Sequence, residues 1–143
     1  MMRLALAGLL LGASAVAAAP VPKELKSTVS TAGAWQLVSL DAQTGRWIPS
    51  NQYWIIDADC GVIFCQTLAP PPAATPTEIF KFDHKTGRVD HNLVGGKQRT
   101  LLGVFELKDD LLTICLDTAG TTRPASVKGP GSIWHLQRVK GEK

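Results

Sequence analysis

The stretch from Thr100 to Asp117 constrains the fold more than any other part of the chain. It consists of two apolar runs, Thr100 to Lys108 and Leu111 to Asp117, split by a short charged tip, Asp109-Asp110. A two-residue turn at the tip sets Leu107 opposite Leu112, Phe105 opposite Ile114 and Gly103 opposite Leu116. Everything on that face is apolar or lacks a side chain. The other face collects Lys108 with Leu111, Glu106 with Thr113 and Val104 with Cys115, a mixed surface fit to meet water. Side chains alternate across a strand, so a single register supplies one core face and one outer face. The stretch therefore predicts a β-hairpin, with aspartate tolerating the left-handed backbone of its turn.

The same reading extends along the chain. Gly33 to Leu40 has strand composition and is followed by a turn at Asp41 to Gly45; Trp47-Ile48-Pro49 leads into Tyr53-Trp54-Ile55-Ile56, too aromatic and β-branched for a loop. A turn from Asp57 to Gly61 opens the strand Val62 to Leu68. Ala69-Pro70-Pro71-Pro72-Ala73-Ala74-Thr75-Pro76 lacks the amide donors a ladder needs and is read as a stiff surface loop. Glu78 to Asp83 alternates strictly and turns through His84 to Gly87 into Arg88 to Val94. After the hairpin, a segment rich in Gly, Thr and Pro precedes the last strand, Ser132 to Val139. These are eight short strands with turn chemistry between them and no helical period. Such spacing favours antiparallel neighbours in sequence order. An open meander leaves two bare edges, so the expected fold is an all-β, eight-stranded, antiparallel up-and-down barrel, with a sandwich as the alternative.

The chain opens with Met1-Met2-Arg3, an uncharged run from Leu4 to Val16 and then Ala17-Ala18-Ala19-Pro20. These are the parts of a secretory signal: a basic start, a short apolar stretch and a small-residue cleavage site. Residues 1–18 are read as a signal peptide cut near Ala17 or Ala18, 19–32 as a polar leader and 33–140 as the barrel domain. An export signal implies a periplasmic or extracellular protein. The apolar run falls short of the ~20 residues that span a bilayer, so stable membrane insertion is not expected. Loss of the signal peptide removes one of the 15 Lys and Arg and leaves a charge of about +2, spread without a basic block, which points to no nucleic acid partner. Cys60 belongs to a turn, Cys65 to the next strand and Cys115 to a distant one, so no disulfide is expected.

Gly33-x-Trp35 at the start of the first strand, with Arg138 near the end of the last, resembles the signature of lipocalin-like barrels. The run Leu102-Gly103-Val104-Phe105-Glu106-Leu107, then Asp110-x-Leu112-x-Ile114-Cys115-Leu116 and Arg123-Pro124, preceded by Val89-Asp90, resembles an uncharacterised lipocalin-like domain of planctomycete bacteria. The resemblance covers roughly residues 33 to 138. The chain departs from that pattern at Asp109-Asp110, where the family has Gly-Asp, at Val127, where it has an aromatic, and at Thr86-Gly87-Arg88, which replaces a Pro-Lys pair. The resemblance implies a barrel in which Arg138 packs across Trp35 and closes one end, and it brings no established activity. Asp90 and Arg123 match family positions; a pair between them would anchor the long loop after Asp117, and two solvated charges are the alternative.

Chemistry is sparse. His84, His91 and His135 are scattered, and no HExxH, paired cysteine ligands, phosphate-cradling glycine loop or Gly-x-Ser-x-Gly elbow occurs. Cys115 reads as a small packed residue rather than a nucleophile. Asp57 with Asp59, and Asp109 with Asp110, lie in turns, where aspartate serves the backbone. The chain is therefore read as a non-enzyme without cofactor or metal. Trp54, Phe64, Phe80, Phe82 and Phe105 are the candidate interior aromatics. They either line a pocket for a small apolar ligand, the expectation placed first, or fill the barrel and leave a structural or interaction module.

Overall fold

In the computed structural model, which describes residues 30–68, 74–94 and 99–141, the hairpin takes the register its pattern dictates. Strands β7 (Thr100–Lys108) and β8 (Leu111–Leu116) pair Leu107 with Leu112, Phe105 with Ile114 and Gly103 with Leu116. Asp109 supplies the left-handed turn residue at φ 54°. Gly103 has to be glycine: a Cβ there would collide with the Leu116 side chain and stand 2.6 Å from the Cys115 carbonyl oxygen.

The remaining strands are β1 (Gly33–Ala42), β2 (Gly45–Trp47), β3 (Tyr53–Ile56), β4 (Gly61–Cys65), β5 (Glu78–Asp83), β6 (Arg88–Leu93) and β9 (Ser132–Arg138). From β3 to β9 each strand pairs antiparallel with the next, and β9 returns to pair with β1, which also pairs with β3. The ring so formed is a closed antiparallel barrel of eight strands, and closure removes the two edges an open meander would expose.

One element differs from the sequence expectation. The turn expected from Asp41 to Gly45 is instead the tip of a small hairpin, because β1 runs on to Ala42 and β2 folds back on it, Leu40 facing Trp47. β2 is thus a ninth strand outside the ring, occupying the edge of β1 beyond the end of β3. A bulge in β1 between Leu37 and Ser39 leaves Val38 exposed and re-aims the strand where this extension begins.

The core is a ring of inward side chains: Trp35, Leu37, Trp54, Ile56, Val62, Phe80, Val89, Phe105, Leu112, Ile114, Leu116 and Leu136, all buried. Each such large apolar side chain contributes about 1.5–3 kcal/mol by leaving water. Cys115, on the mixed face of the hairpin and read from the sequence as a packed residue, is fully buried. The segment after β8 folds over it, with its Sγ 3.8 Å from the Gly129 carbonyl oxygen. Burial pushes its thiol pKa up, which leaves Cys115 a packed, unreactive residue. The three cysteines are free. The signal-peptide and leader readings fall almost wholly on residues 1–29, and Pro70, Pro71 and Pro72 lie in 69–73; both stretches are outside the described residues.

Candidate functional site

The two ends of the barrel are built differently. At the end where β1 begins and β9 finishes, Trp35 and Arg138 are cross-strand partners. The Arg138 guanidinium carbon lies 4.2 Å from the Trp35 ring centroid, a cation–π contact. The same guanidinium donates to the carbonyl oxygens of Ala32 (3.0 Å) and Ser30 (2.6 Å), and its Nε sits 3.6 Å from Asp110 Oδ1. The Trp35 indole donates to the Thr31 carbonyl oxygen at 2.8 Å. Asp110, from the hairpin tip, also accepts through its backbone oxygen from the Arg138 amide at 2.7 Å. This end is a plug with its polar groups satisfied.

A second fastening lies on the outer wall. Arg123 reaches back from the long loop, and its Nη2 meets Asp90 Oδ1 at 2.6 Å while its Nη1 donates to the carbonyl oxygens of Val89 and Gly103. The loop is further shaped by Asp117, whose carboxylate accepts from the backbone amides of Thr122, Thr121 and Ala119. Those bonds favour the ionised form and hold the carboxyl below its ordinary pKa. His135 Nε2 and Arg46 Nε approach Asp41 at 3.2 and 3.5 Å and tie β9 and β2 to β1.

The five interior aromatics sit on β3 (Trp54), β4 (Phe64), β5 (Phe80 and Phe82) and β7 (Phe105) and touch one another in a chain. Trp54 meets Phe64 edge-on at 5.0 Å and Phe80 at 5.3 Å; Phe80 stacks with Phe82 at 6.2 Å, and Phe82 meets Phe105 edge-on at 4.9 Å. Trp134 joins at 6.1 Å from Trp54. Trp54, Phe80 and Phe105 are buried, while Phe64, Phe82 and Trp134 are partly so.

Among these rings lies a polar pair that sequence reasoning passed over. His91 is the cross-strand partner of Phe80 and stacks on it at 4.2 Å, and its Nε2 lies 2.5 Å from Glu78 Oε2. An ionised carboxylate only accepts, so Nε2 carries the proton in that state. Nδ1 of His91 and Nε1 of Trp54 are buried without a partner among the described residues. The signal was available: a four-residue turn from His84 to Gly87 sets Phe80 opposite His91 and Glu78 opposite Leu93, on one face. Among the described residues no group of three or more His, Cys, Asp or Glu side chains could hold a metal ion.

At the other end, where β2 projects beyond the ring, a groove of about 370 Å³ opens. Trp47, Pro49, Ser50, Asn51, Gln52, Phe64, Cys65 and Gln66 line it. Trp47 shares a face with Leu40 on β1 and, across that strand's far edge, with Trp134, so the groove continues the barrel's inner wall past its rim. Trp47 is 52 % exposed and Ile48 70 %. Asn51 holds the loop in a left-handed conformation at φ 52°. None of Ser50, Asn51, Gln52 or Gln66 makes a side-chain hydrogen bond to another described residue. No family model, curated protein or solved structure matches this chain. Trp47 had entered the sequence reading only as a lead-in to β3, because composition does not tell a strand's approach from a second hairpin.

Proposed function

We propose that this chain is an exported, lipocalin-like barrel that fills its interior with its own aromatic side chains and takes a small molecule at its mouth, acting by binding rather than catalysis. The observation that carries the reading is the unbroken run of ring contacts from Phe64 through Trp54, Phe80 and Phe82 to Phe105. Eight strands enclose a space that side chains can fill or that can hold one small ligand, and here the packed rings favour the first. An acyl chain entering it would have to displace rings that already pack on one another, at a cost typical of overfilled cores. The composition of residues 1–18 supports export, and the Gly33-x-Trp35 and Arg138 pattern supports the family-level likeness.

A second reading, a small apolar ligand held inside by Trp54, Phe64, Phe80, Phe82 and Phe105, is favoured by the two orphaned nitrogens, since buried polar atoms ordinarily have partners. Titrating the mature chain with saturated fatty acids while following tryptophan emission separates the two. A filled barrel gives no saturable change. A saturable shift that Trp54→Phe abolishes establishes the interior site and overturns the first reading.

A further inference from the structure

Resting on the reading of the mouth as the recognition site, we propose that the groove binds a neutral saccharide, with one face of a pyranose ring laid on Trp47 and its hydroxyls bonded by Asn51, Gln52 and Gln66. The chemistry of the lining leads there by elimination. Among the described residues no Asp, Glu, Lys or Arg lines the groove, so none of them pairs there with a phosphate, a carboxylate or an ammonium group. A wholly apolar guest fails for the opposite reason. It would cover Ser50, Asn51, Gln52 and Gln66, whose side chains have no partners among the described residues, and each covered amide or hydroxyl would lose water with nothing in return.

What satisfies both conditions is uncharged, rich in groups that donate and accept together, and flat and apolar on one side. A pyranose has these properties: its axial C–H bonds form a face that lies on an indole, and its vicinal hydroxyls match the paired N–H and C=O of a side-chain amide. Trp47 presents the half-exposed ring this needs, and Phe64 extends the apolar floor toward the barrel. The volume suits a small molecule rather than a protein surface. β2 is three residues long, too short to template an extended peptide by strand addition.

The test uses the mature chain, isotope-labelled, and a panel of cellobiose, maltose, laminaribiose and N,N′-diacetylchitobiose, with the four tryptophan indole signals followed by NMR. At least one sugar should shift the Trp47 indole saturably with a Kd on the order of 1 mM, leaving the Trp35 indole in place. Trp47→Ala and Gln66→Ala should each weaken that binding by about tenfold or more, Trp47→Phe by less, with unchanged far-UV circular dichroism. The proposal is overturned if no sugar moves the Trp47 signal, if binding survives Trp47→Ala, or if a proline-rich peptide saturates the groove while sugars do not. These failures are distinct from a saturable fatty-acid response at Trp54, which would remove the underlying reading of a filled barrel.

Discussion

At the plugged end, Arg138 holds Trp35, two backbone carbonyls and Asp110 at once, and the Trp35 indole has its own acceptor. At the mouth, Trp47 stands half in water beside Asn51, Gln52 and Gln66, whose amides bond to no described residue. Both ends pair an indole with polar side chains. The difference is that the plug's polar groups are bonded within the chain itself, whereas those at the mouth bond to no described residue and are, on the proposed reading, the ones that meet a ligand. Hydrogen bonds closed inside the fold stabilise it, and donors and acceptors left open at a rim recognise other molecules.

The contrast is sharpest in stability. Trp35→Ala removes a fully buried indole together with its cation–π contact and is expected to cost about 3–5 kcal/mol in urea unfolding. Trp47→Ala, on an exposed ring, should stay within about 0.5 kcal/mol of wild type. Equal costs at the two positions would break the comparison.

The lateral fastening should fall between these limits. Arg123→Gln forfeits charged donors to Asp90 and to two ladder carbonyls, and about 1.5–3 kcal/mol is expected. A double-mutant cycle with Asp90→Asn should isolate a coupling of about 0.5–1 kcal/mol, modest because Asp90 is 43 % exposed. Strict additivity would reduce the contact to two solvated charges.

The smallest effect concerns acid. Asp117 has its carboxyl pKa lowered by backbone amides, Thr122 foremost, so its contribution is present above the ordinary carboxylate value of 3.8 and disappears as pH falls through the depressed folded value. The Tm difference between wild type and Asp117→Ala should therefore be full at neutral pH and shrink below about 3.8. A difference that grew on acidification would reverse the sign and refute the assignment.

How much of this was legible in the sequence follows from which interactions are periodic. The barrel was readable because strict alternation in Glu78 to Asp83 and in Thr100 to Asp117 leaves one face apolar, and turn residues fix where each strand stops. The Trp35–Arg138 contact came from a likeness in pattern, since two residues more than a hundred positions apart share no local signal. That Cys115 packs is legible from its type, but what covers it is not, because the loop after Asp117 has no period to read. The His91–Glu78 pair was missed because histidines were weighed singly, although strand pairing across the His84 to Gly87 turn puts both side chains on the inner face. The mouth groove needs β2, whose three residues are too few to form a pattern.

Hydrogen exchange at the four tryptophan indoles, resolved in one NMR spectrum, tests the opposition between the two ends most directly. The Trp35 indole, buried and bonded to Thr31, should exchange only through global unfolding, while the Trp47 indole should exchange within the dead time of the measurement. A Trp35 indole that exchanged as fast as that of Trp47 would mean that the closed end is not closed, and the division between a structural plug and a recognising mouth would be wrong.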